Sequence, residues 1–102
     1  MDYIERIADM GACAPALDWL RSEQYPSLQV AWDACPQSNW MLWLLSVLGH
    51  PAYPTACAAA RDARAAARDA RAAVANAAYA TAYDAVRAAA VRTVVPVAPT
   101  LP

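Results

Sequence analysis

Covalent catalysis needs a serine, cysteine or threonine beside a base, and histidine is the base most often used. The chain has one histidine, His50, set between Gly49 and Pro51. Cys57 is near enough in sequence to meet it, yet a lone histidine in a proline-bounded connector more often serves as a surface or capping residue. Cys13, Cys35 and Cys57 recur at intervals of 22 residues, each among apolar neighbours. Free cysteine behaves as a small hydrophobe, so buried free thiols are expected. Metal sites want close cysteine pairs or several histidines; the sequence has neither, and no metal or cofactor is expected. A glycine-rich phosphate loop is excluded, because Gly11 and Gly49 are the two glycines of the chain. The side chains therefore argue for binding rather than catalysis, and the chain is expected not to be an enzyme.

Charge is the next candidate for chemistry. Residues 1–54 carry Asp2, Glu5, Asp9, Asp18, Glu23 and Asp33 against Arg6 and Arg21, a balance of −4. Residues 55–102 carry Arg61, Arg64, Arg68, Arg71, Arg87 and Arg92 against Asp62, Asp69 and Asp84, a balance of +3. The simplest consequence is weak attraction between the two halves across the fold. A sharper one is that Asp2, Glu5 and Asp9, which share one face of a helix, join Glu23 and Asp33 in imitating nucleic-acid phosphates toward a basic partner. At about 100° per residue, Arg61, Arg64, Arg68 and Arg71 fall together on a second face. The aspartates between them dilute that field and no aromatic residue interleaves, so direct nucleic-acid binding ranks below protein binding. Tyr79 and Tyr83, one turn apart on the arginine side, are candidate contact residues, since Tyr and Arg are enriched among interface anchors. They are equally suited to covering the N-terminal helices.

The elements that must position these groups are all helical. Alanine dominates, glycine is scarce, and no long stretch alternates with period two, which predicts an all-α fold. A chain of 102 residues supports one core and one domain. Asp2 and Glu5 form a capping box for a first helix over 3–10, closed by Gly11. A second helix is predicted over 13–22, with Pro15 in its first turn, and Tyr25-Pro26 breaks it. Ser27 caps a third over 28–34, and Pro36 follows it. Ser38 or Asn39 is expected to cap the segment Trp40–Leu48, which is apolar around its circumference. Its nine residues rise about 14 Å, against roughly 30 Å of bilayer hydrocarbon, so it is predicted to be the central core helix and not a membrane span. Residues 50–54 read as a connector, with Thr55 as the next cap.

From Ala56 to Thr93 there is no glycine or proline. Ala63, Ala66, Ala67, Ala70, Val74, Ala77, Thr81, Ala85 and Ala88 form a small-residue stripe opposite the arginines. One unbroken helix would be about 57 Å long, too long for a domain of this size. The expectation is thus a compact helical bundle over 1–54, followed by a long or broken alanine-rich helix over 55–95, either projecting or folded into a hairpin near Asn76. Residues 96–102, with three prolines, are expected to form an extended or flexible tail.

The run Cys13-x-x-Ala16-Leu17-x-Trp19-Leu20, then Ala31-Trp32-x-x-Cys35, then Asn39-Trp40-Met41-Leu42-Trp43-Leu44, with a closing Val91-Arg92-x-Val94-Val95-Pro96, resembles a family of small immunity proteins encoded by bacteria and their phages. Ser38-Asn39 stands where that pattern usually has Gly-Asp. The resemblance implies a non-enzymatic inhibitor that blocks a protein partner, either a toxin nuclease or, in a phage anti-defence or anti-CRISPR role, a CRISPR effector subunit. Its tryptophans and cysteines belong to the scaffold, and no catalytic residue carries over. Eight arginines without one lysine point to a GC-rich bacterial or phage genome. Met1 leads into acidic residues and not a basic, apolar leader, so a bacterial cytoplasm is the expected location and no membrane partner is expected. The alternatives are a self-associating helical module, monomer or weak homodimer, pairing through its alanine stripe, and a small Arg-rich nucleic-acid binder.

Overall fold

The computed structural model describes residues 2–70 and 76–102, with side chains of residues 67–82 outside the description. The described residues fold as six helices and no strands: α1 (Tyr3–Asp9), α2 (Ala14–Glu23), α3 (Leu28–Ala34), α4 (Ser38–Val47), α5 (Tyr53–Ala70) and α6 (Asn76–Val94). The protein is all-α. Asp2 caps α1 by accepting the Glu5 N–H at 2.9 Å, and Ser27 caps α3 by accepting the Val30 N–H at 3.3 Å. α2 ends at Gln24, which takes a left-handed φ of 52° just ahead of Tyr25-Pro26.

Two expected caps are displaced. α4 starts at Ser38, its cap position is Gln37, and no side chain caps it. Ser38 is buried inside the first turn, and Asn39 accepts a hydrogen bond from Arg87 instead. α5 starts at Tyr53, which shortens the expected connector and puts Thr55 inside the helix. Pro54 is compatible with that start, because a first-turn residue has no intrahelical acceptor for its missing N–H.

The alanine-rich region is two helices that pack extensively on each other, and the longest dimension of the molecule is 46 Å, short of the roughly 57 Å a single helix would need. Folding back changes which alanines are buried. Ala56 and Ala60 of α5 join Ala88 and Val91 of α6 in one core, whereas Ala66 and Ala85 of the expected stripe are exposed. A single continuous stripe suits one helix; a hairpin gives each helix its own inward face.

Around that hairpin the main core gathers Trp32, Cys35, Met41, Leu44, Leu45 and Val95, and a smaller cluster of Ile7, Leu20 and Ala31 lies under α1–α3. Trp19, Leu28, Trp43 and Leu101 touch both. α4 is central but not enclosed: Val47 is 48 % exposed, and Trp40 and Trp43 are only half-buried.

The tail departs from expectation. Trp32 donates its indole N–H to the Val95 carbonyl at 2.8 Å. Gln29 clasps the next turn, accepting the Ala98 N–H at 2.7 Å and donating to the Pro96 carbonyl at 3.1 Å. Val95 and Pro99 are buried. Three prolines do remove helix, but they also stiffen the segment and lower the entropy lost on docking it.

The thiols also differ from one another. All three are free; Cys35 is buried, Cys57 half-buried and Cys13 exposed at the start of α2. Burial pushes the Cys35 thiol up, against opposing effects from its Gln37 hydrogen bond and from Arg92. The thiolate is the reactive form, so Cys13 will react with a disulfide reagent within the mixing time at pH 8 while Cys35 waits on unfolding. Equal rates for the native protein and for its Cys13→Ser variant would contradict this assignment.

Candidate functional site

The acids read from the sequence all face solvent: Asp2, Glu5, Asp9, Glu23 and Asp33, together with Asp18, are exposed. Two also hold local structure, Asp2 as the α1 cap and Asp33 as acceptor of Gln29 Nε2 at 2.9 Å. Arg61 and Arg64 are exposed on α5. Arg71 lies outside the described residues, as do the side chains of Arg68 and Tyr79. Tyr83 is half-buried, and the Arg87 guanidinium sits 5.6 Å from its ring centroid, within cation–π range.

The nucleophile–base pairing considered for Cys57 does not form. His50 Nδ1 accepts the Ala52 N–H at 3.1 Å, a turn-capping role. The Tyr53 hydroxyl is instead the neighbour of Cys57, and hydrogen bonding between them raises the tyrosine pKa. Among the described residues no three His, Cys, Asp or Glu side chains converge as metal ligands, and no helix is long and apolar enough to cross a membrane.

What sequence reasoning missed is a pocket of about 310 Å³. The α1–α2 corner contributes Gly11, Ala12, Cys13 and Ala16, which are all small, and α4 faces them with Trp40 and Trp43. Small residues opposite large rings leave space unfilled. Collapse is resisted by ring contacts that fix the indoles: Trp19 lies 5.7 Å from Trp40 and 5.4 Å from Tyr25, centroid to centroid, both tilted. The available signal was Trp40 and Trp43 at i, i+3, which puts both rings on one face of α4; it read instead as core.

Cys35, just after α3, and Asn39, in the first turn of α4, line this pocket, and arginines of α6 hydrogen-bond to both. Arg92 Nη1 donates to the Cys35 carbonyl at 2.8 Å. Arg87 Nη2 donates to Asn39 Oδ1 at 3.4 Å, a long contact, and Arg87 Nε is buried without a hydrogen-bond partner.

The arrangement defines a class, an all-α bundle with an exposed acidic N-terminal half and a tryptophan-lined pocket. Comparison with known proteins goes no further: no protein-family model, curated protein or solved structure matches the chain.

Proposed function

We propose that this chain is a non-enzymatic binding protein that acts by occupying a protein partner. The observation that carries the reading is that all six acids of residues 1–54 project into solvent, opposed by two arginines. Such a surface presents spaced negative charge as a nucleic-acid backbone does, and a basic nucleic-acid-binding groove is its electrostatic complement. A toxin nuclease or a CRISPR effector subunit has that groove, so the role is that of an immunity protein or an anti-CRISPR inhibitor working by steric occupation.

The test is DNA cleavage by a panel of such nucleases, with and without excess protein. The double variant Glu5→Lys, Asp9→Lys should lose inhibition by about a hundredfold in affinity, since like charges juxtaposed at an interface cost several kcal/mol. Both residues are exposed, so the circular dichroism spectrum should not change. Inhibition that survives reversal in a folded variant would remove the phosphate-mimic reading.

A further inference from the structure

The pocket beneath Trp19, Trp40 and Trp43 has no part in contact through the acids. Its volume of about 310 Å³ is about twice the roughly 150 Å³ of an apolar cavity that takes up benzene. It therefore has room for a bicyclic ring system of about a dozen non-hydrogen atoms. Its walls are apolar, and Asn39 is the one lining residue whose side chain carries an amide or a charge. Flat, electron-rich indoles in the lining, those of Trp19, Trp32, Trp40 and Trp43, favour an aromatic guest over a flexible chain, because offset and edge contacts add to burial.

The Asn39 end has a distinct electrostatic character. Arg87 reaches Asn39 with one long hydrogen bond, and its Nε is buried with no acceptor. Arg92 brings a second guanidinium to the Cys35 carbonyl, four residues before Asn39. Among the described residues neither guanidinium is hydrogen-bonded to a carboxylate. An arginine has five donors arranged as a fork that matches a carboxylate; Arg87 stands behind Asn39, outside the pocket's own lining, with that capacity largely unused. We propose that the pocket binds a planar aromatic carboxylate of naphthoate size, its rings among Trp19, Trp40 and Trp43 and its carboxylate at Asn39 and Arg87. The guest replaces the long Asn39 contact with charge-assisted hydrogen bonds, and its negative charge meets the two arginines of α6. This site is independent of the acidic surface, and each can fail without the other.

The experiment is calorimetric titration of the full chain with 2-naphthoate and with 2-naphthamide, which has the same shape and no charge. Naphthoate should bind at one to one, and naphthamide about tenfold more weakly, the usual scale for losing a charged hydrogen bond. Arg87→Gln should bring naphthoate down to the affinity of naphthamide and leave naphthamide unchanged. Ala16→Phe, which fills the pocket from α2, should abolish both. Comparing the two probes on the unmodified protein needs no variant to fold. Absence of saturable heat with either probe, or equal affinity for the two, would overturn the proposal; the former would leave the pocket to an apolar side chain of a protein partner.

Discussion

Ending the chain at Val94 should remove a large part of its stability, a loss of about 4–6 kcal/mol. The buried Val95 side chain accounts for about 1.5–3 kcal/mol of transfer free energy. Without residue 95 the Trp32 indole N–H, at 3 % residue exposure, loses its only acceptor, and an unpaired buried donor costs about 1–3 kcal/mol. The Gln29 clasp and the packing of Leu101 against both core clusters go with it. A domain of this length is typically stable by about 5–15 kcal/mol, and each kcal/mol shifts its Tm by roughly 4–8 °C. Thermal unfolding followed at 222 nm should therefore show a drop of 20 °C or more, or no cooperative transition. Gln29→Ala in the full chain should cost about 1–2 kcal/mol, since it removes the clasp but keeps Val95. A truncated chain melting within a few degrees of the full one would mean that the tail merely rests on the surface.

That expectation runs against the sequence, and the reason is instructive. Three prolines in nine residues identify the end of a helix, and local rules reach no further than that. Whether the departing segment is free or docked depends on Gln29 and Trp32, more than sixty residues away. Helices are legible because their determinants are local: Asp2, Ser27 and Gly11 mark their termini in the sequence and occupy those places in the fold. The start of α4 is misread for the opposite reason, because its first turn is anchored by tertiary burial of Ser38 and not by a cap. The acids were legible as exposed groups, as charge almost always is. The pocket was not, because a void is a difference between facing surfaces, and no single segment records that Ala16 will stand opposite Trp40 and Trp43.

Leu45→Ala should be among the most destabilising single truncations of the described core. Leu45 has no exposure at all and lies in the main core with Met41, Val91 and Ala56. Removing a fully buried leucine side chain costs about 3–5 kcal/mol, the transfer term plus a cavity that neighbours fill only in part. Partial filling is expected here, because the opposing residues Ala56, Ala60 and Ala88 have no side-chain length with which to collapse inward. Val47, two residues on and 48 % exposed, lies on the opposite side of α4, so Val47→Ala should change stability by less than about 0.5 kcal/mol. Urea unfolding of both variants separates a packing effect from mere helix propensity, which alanine would raise in each case. A shift of the midpoint for Leu45→Ala with unchanged slope places the loss in the native core. Equal small effects at 45 and 47 would mean that α4 is not the helix around which α5 and α6 pack.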